Sequence, residues 1–165
     1  EINNLPSIEG LNLPSSYIAI ALGGEWAYRT YNKWGEVIDQ LTKKNDKLNL
    51  VFVGSDNAKE SAKALTEAFP RDNIFNCVAK FTFNQTAQII GGASILLCCD
   101  GGLMHSANAV NTPIVPLFAR LTPIMQLTES IQAFPLFDAN DVNNIPVEDI
   151  LVKYIEATNS INNHP

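Results

Sequence analysis

The feature that most limits what this chain can fold into is a rhythm of short apolar runs. "YIAIAL" (17–22), "LNLVFVG" (48–54), "NIFNCVA" (73–79), "SILLCCD" (94–100) and "TPIVPLFA" (112–119) recur with helix-length stretches between them. The runs are continuous rather than alternating, as in strands covered on both faces. Between them, Trp34, Val37, Ile38 and Leu41 repeat at i, i+3, i+4 and i+7, one face of a helix. Ala58, Ala62, Leu65 and Phe69 mark a second helix, stopped by Pro70. Residues 82–93 read as a third, with Thr82 as N-cap and Gly91-Gly92 ending it. "GLMHSANAV" opens a fourth directly after Asp100-Gly101, and Val147, Ile150, Leu151, Tyr154 and Ile155 share the face of a last helix.

Strands alternating with helices through short glycine-marked loops predict an α/β fold, a doubly wound parallel sheet of Rossmann-like type. The run at 94–100 should be central. Pro116 lacks a ladder donor, which places the 112–119 strand at an edge or breaks its pairing locally. "AFPLFD" (133–138) is a weak sixth strand or a loop. Residues 1–16, with Pro6, Gly10 and Pro14, read as a linker from a preceding domain. Residues 17–158 form the domain, and 159–165 fray into a disordered tail.

Composition excludes several partners. With 165 residues, the chain can bury a core without staples, and its net charge of -6 argues against nucleic acid or an anionic membrane surface. Beyond Lys80 the only cations are Arg120 and Lys153. Cys77, Cys98 and Cys99 lack metal-ligand spacing and sit in apolar runs, so they read as reduced core thiols of a cytoplasmic protein. No stretch approaches the roughly 18 apolar residues of a transmembrane helix.

In a sheet of this kind ligands bind beyond the carboxyl ends of the strands, where strand order reverses. Asp100-Gly101-Gly102 ends the central strand and opens a helix whose free N–H groups and dipole suit an anion, with glycine admitting a phosphate close to the backbone. Alternatively, Asp100 caps the helix and the glycines are turn residues. His105, on the first turn, is a ligand group or an ordinary core or surface histidine. Gly23-Gly24 follow the first strand without completing a dinucleotide fingerprint. Arg29 and Lys33 bracket the next helix and suit a diphosphate, or are solvated surface cations. Asp56 or Glu60 could accept from ribose hydroxyls, or serve as cap and first-turn charge. Phe81 offers a wall for a nucleobase, or packs in the core. Trp34 belongs to the packing face. No metal cluster, P-loop or self-contained nucleophile is present in the pattern.

These residues resemble the C-terminal half of family 9 glycosyltransferases, the bacterial lipopolysaccharide heptosyltransferases. The family motif D-[ST]-G-x-x-H-x-x-A-A, followed by a "P-x-V-x-L-F-G-P-T-x-P" segment, is matched by "DGGLMHSANAVNTPIVPLFARLTP". Asp100, Gly102, His105, Ala109, Pro113, Val115, Leu117, Phe118 and Pro123 fall in step. "IALGGEW…KW" resembles the family's first strand, small-residue loop and basic-Trp segment, and similarity runs from about 17 to about 125. The resemblance implies the donor domain of an inverting, metal-independent GT-B enzyme needing no cofactor, with an ADP-linked heptose as the favoured donor. It also implies a glycan or lipid-linked acceptor held by a missing N-terminal domain, which would supply the base, so that this fragment alone is inactive in transfer. The full protein would be cytoplasmic, peripheral to the inner membrane, and act in lipopolysaccharide or surface-glycan synthesis.

By the same resemblance Gly23, Gly24, Arg29, Lys33, Asp56, Phe81, Asp100, Gly101, Gly102, His105 and Arg120 are the donor-binding residues. The chain departs from the family at Asn32, where a lysine is common, at Ala58, where some members carry a ribose-binding Glu, and at Ala119-Arg120-Leu121, where the family has Gly-Pro-Thr. Two readings from other classes stand beside the transferase. One is a non-catalytic nucleotide-binding or interaction module on a doubly wound fold, the other an epimerase of the same architecture. A receiver-type module would want an acidic cluster after the first strand, where Gly23-Gly24 stand.

Overall fold

The computed structural model describes residues 8, 10–122, 127 and 132–163. Among these, six strands form one parallel sheet: β1 (Ile18–Ala21), β2 (Leu50–Val53), β3 (Ile74–Asn76), β4 (Leu96–Cys99), β5 (Ile114–Ala119) and β6 (Leu136–Asp138). Their order is β3-β2-β1-β4-β5-β6. The chain thus works outward from β1 in one direction, returns, and continues on the other side of it. The reversal falls between β1 and β4, whose carboxyl ends open side by side.

The sheet is packed on both faces because its four central strands, β1, β2, β4 and β5, are apolar at every position, which leaves neither side fit for water. Ile18, Ile20, Leu50, Phe52, Leu97 and Val115 meet α1 (Trp34–Lys44), α2 (Lys59–Ala68) and α5 (Val147–Asn163). The intervening residues Ala19, Ala21, Val51, Val53, Leu96 and Cys98 meet α3 (Phe83–Gly92) and α4 (Gly102–Ala109). Trp34, Val37, Ile38 and Leu41 are buried together, as their spacing requires. Thr82 caps α3 in a complete capping box: Gln85 N–H donates to its hydroxyl, and its own N–H donates to the Gln85 side chain.

Of the two outcomes expected of Pro116, an edge strand or a local break in pairing, the second is found. β5 is an interior strand, paired with β4 on one side and β6 on the other. Ile114 N–H donates to Gln132 and the Ile114 carbonyl accepts from Phe134, so by alternation the ring nitrogen of Pro116 also faces the β6 side. There the pairing is interrupted, with a lone bridge at Ile114–Ala133 and the ladder resuming at Leu117–Leu136. The missing donor therefore costs nothing against β4, where Cys98 pairs with Pro116 in register.

The ends also differ from expectation. Ile8, Leu11 and Leu13, within the expected linker, pack partly buried against the α3–α4 face. Residues 159–163, expected to fray, continue α5. Ile161 there packs against the core, which anchors the last turn. Residues 1–7, 9, 164 and 165, and Pro123 of the family motif, lie outside the described residues.

Local and packing contributions separate in unfolding measurements. Thr82→Ala, which removes only the cap, should lower denaturant stability by about 1 kcal/mol. Leu97→Ala, at the fully buried centre of the sheet, should cost about 3 kcal/mol through loss of transfer energy and an unfilled cavity. Equal losses would show that burial there contributes less than its position implies.

Candidate functional site

A cleft of about 510 Å3 opens at the carboxyl ends of the strands, over the reversal between β1 and β4. The loop after β1 gives it Gly23, Gly24, Glu25 and Arg29. The loop after β2 gives Gly54, Ser55 and Asn57, and the segment leaving β3 gives Phe81. Phe83 and Thr86 come from α3, Asp100 and Gly101 from the end of β4, and Gly102 and Leu103 from α4.

The loops after β1 and β4 are joined across the cleft. Arg29 Nη1 donates to Asp100 Oδ2 at 3.5 Å, with the Asp100 side chain only 3% exposed and that of Arg29 21%. Asp100 is therefore a partner of Arg29 and does not cap α4, whose first turn has no side-chain cap. The first amides of α4 are left to solvent or a ligand, as at any helix start without a capping side chain. Arg29 Nε is buried and lacks an acceptor. Arg29 lines the cleft, while this N–H lies within the wall, out of reach of solvent.

Two glycines set the shape. Gly23 has φ of +82°, and a Cβ there would lie 2.5 Å from Asn57 Oδ1 and 3.2 Å from Ala58 Cα, so the loops after β1 and β2 can close together only around glycine. Gly101 is the opposite case. Its backbone is extended and a Cβ would meet nothing within 4 Å, so the open space above it belongs to the cleft.

Seven of the eleven expected residues line this cleft: Gly23, Gly24, Arg29, Phe81, Asp100, Gly101 and Gly102. Four do not. Lys33 is the N-cap residue of α1. Asp56 is exposed and pairs with Lys59 at 3.1 Å, a surface bridge one turn apart. His105 stands exposed on α4, outside the lining. Arg120 stacks over Tyr28, its Cζ 3.7 Å from the ring centroid, and donates from Nε to the Asn140 carbonyl at 3.2 Å.

Sequence reading missed Glu25, Ser55, Asn57, Phe83, Thr86 and Leu103. Ser55 and Asn57 flank Asp56 and line the cleft, while Asp56 between them turns outward to Lys59. Phe83 and Thr86, three apart at the start of the helix capped by Thr82, present one face to the cleft, and that spacing was the available signal. Among the charged lining residues Arg29 is the cation, against Glu25 and Asp100. An anion bound here must rely heavily on backbone amides.

A parallel sheet in this order, with such a crevice at its reversal, defines a Rossmann-like α/β domain as found in GT-B glycosyltransferases. Residues 4–134 match glycosyltransferase family 9 (heptosyltransferase), and the chain belongs to that family. Its fold is similar to that of a family 9 glycosyltransferase from Veillonella parvula, with TM-score 0.77 and 17% identity over 90% of this chain and 47% of that one. The ADP-heptose lipopolysaccharide heptosyltransferase II of E. coli gives 0.75 and 19%, over 90% and 48%. An E. coli heptosyltransferase with ADP gives 0.70 and 18%, over 87% and 44%. The chain thus spans about half the length of these structures. No curated protein matches it. Among the described residues no helix is long and apolar enough to cross a membrane, and no group of three or more His, Cys, Asp or Glu could hold a metal.

Cys99 lines the cleft, yet burial pushes its thiol up to about 12, and burial raises Cys77 and Cys98 as well. At pH 8 a thiol of that acidity is ionised in about one molecule in ten thousand. A thiol-exchange reagent should therefore leave the folded protein unlabelled while titrating the cysteines in denaturant. Rapid labelling of native protein at pH 8 would contradict the burial.

Proposed function

We propose that this chain is the donor-binding half of an inverting glycosyltransferase that holds a nucleotide-sugar, with an ADP-linked heptose the favoured donor. The observation carrying this reading is the convergence in one cleft of the cation Arg29 and the uncapped start of α4 at Gly101-Gly102. Membership of family 9 and the likeness to a heptosyltransferase with ADP support it.

In such a transfer the nucleoside diphosphate departs from an anomeric carbon that acquires oxocarbenium character. Negative charge grows on the diphosphate as the bond breaks. The α4 amides and Arg29 face the space where that charge would sit, and fixed donors of this kind are worth about 3 kcal/mol each by deletion. Asp100 keeps Arg29 oriented and offers a carboxylate to sugar hydroxyls. Phe81 and Phe83 supply apolar walls, and Ser55 and Asn57 stand at the loop where ribose hydroxyls are read in sheets of this type. The base that deprotonates the acceptor would come from an N-terminal domain across the cleft, so this chain binds donor without transferring sugar. The chemistry needs neither metal nor cofactor. The acceptor is a glycan or lipid-linked glycan at the inner face of the cytoplasmic membrane, in lipopolysaccharide or surface-glycan synthesis.

Calorimetric titration with ADP, UDP, GDP and CDP tests the reading. ADP should bind, and Gly101→Ala should weaken it about tenfold by placing a methyl in the path of the phosphate. The melting temperature should stay unchanged, because the new Cβ meets no neighbour. Absence of binding to all four nucleotides would refute the proposal.

A further inference from the structure

The loop carrying Arg29 is held from outside the cleft. Residues 27–29 form a single 3-10 turn, too short to fix a guanidinium unaided. Just after it, Asn143 pairs with the backbone on both sides of Tyr31. Asn32 N–H donates to Asn143 Oδ1 at 2.8 Å, and Asn143 Nδ2 donates to the Thr30 carbonyl at 2.9 Å. One amide side chain thereby imitates the edge of a β-strand. Its own orientation is fixed by Asp141, whose Oδ1 accepts from both the backbone N–H and Nδ2 of Asn143 at 2.9 Å. The Tyr31 hydroxyl adds a bond to the Ile145 carbonyl at 3.0 Å.

A second arm comes from the end of β5. Arg120 covers the Tyr28 ring at 3.7 Å while its Nε is tied to Asn140. Both arms are anchored on one short stretch, 138–145, organised around Asp138. Its Oδ2 accepts from Asn140 N–H, Asp141 N–H and Asn144 Nδ2 at 2.9–3.0 Å. None of these residues lines the cleft, and Asn143 lies beyond the segment that matches the family.

We propose that Asn143 is a positioning residue for the anion site: it clasps the backbone around Thr30 and so holds Arg29 against Asp100 at the cleft wall. The proposal deepens the donor-binding reading, and rests on it for the identity of the ligand. The geometry explains why a cation on an exposed loop stays four-fifths buried and correctly aimed. It also gives Arg120, expected as a phosphate contact, a supporting task on Tyr28.

The test is a double-mutant cycle on the full chain, read by ADP calorimetry. Asn143→Ala removes two hydrogen bonds to the loop and should weaken ADP about tenfold. In an Arg29→Ala background it should cause no further loss, because the residue it positions is gone. Unchanged affinity in the single variant, or an equal loss in both backgrounds, overturns the proposal. If the unmutated chain binds no ADP, the donor reading fails and a ligand-free signal decides this one. The Arg29 Nε–H resonance, assigned by its loss in Arg29→Lys, should be protected from solvent exchange and lose that protection in Asn143→Ala. Retained protection overturns the clasp. Should Asn143→Ala not fold, Asn143→Ser keeps a polar side chain too short to reach both Asn32 N–H and the Thr30 carbonyl. It is judged by the same two readouts and the same outcomes.

Discussion

The ion pair between Arg29 and Asp100 is the constraint around which the site is arranged. A carboxylate this deeply withdrawn from water is tolerated only with a partner, and a single cation answers it. The two residues are seventy-one positions apart in sequence. They meet because strand order reverses between β1 and β4, which sets the loops leaving those strands side by side. The fold supplies the meeting place, and the pair binds the two sides of the crevice together.

That arrangement decides how the crevice can handle charge. With Arg29 partly committed to Asp100, and Glu25 also on the wall, the lining is not an electropositive basin. What it offers an anion is directional: the first amides of α4 and the part of the Arg29 side chain that lines the cleft. Such donors discriminate by geometry more than by attraction at a distance, which would suit the proposed binding of a diphosphate in one pose. The departures from the family pattern have the same logic. Asn32, where a lysine is common, donates its backbone N–H to Asn143 rather than presenting a cation, and Arg120 covers Tyr28 rather than extending into the cleft.

Most of the fold was legible because apolar periodicity is a property of the whole chain. Continuous runs announced strands covered on both faces, and Trp34, Val37, Ile38 and Leu41 announced the face of α1 that is buried. Pro116 was half legible. Sequence tells that a donor is missing, but which neighbour would have received it depends on alternation within a sheet not yet built. The site was read less well. Glycines at strand ends, Asp100, Arg29 and Phe81 fall on the cleft wall as expected, because backbone permissiveness and charge are local signals. Lys33, Asp56, His105 and Arg120 stand off the cleft wall because a cation or acid near a strand end can face either the crevice or the bulk, and one residue of helical phase decides which. The partnership of Arg29 with Asp100, and the hold of Asn143 on Thr30 and Asn32, depend on contacts across the sequence that no local pattern encodes.

Pro116 has a consequence for the outermost part of the sheet. Because its nitrogen offers nothing to the neighbouring segment, β6 is fastened at two points, by the bridge at Ala133 and the ladder from Leu136, rather than along an unbroken seam. A ribbon pinned at separate places tolerates changes of sequence between the pins while its far end keeps its station. Here that far end is Asp138 and the turn it organises, so the periphery can drift over evolutionary time without shifting the hinge post on which the innermost loop hangs.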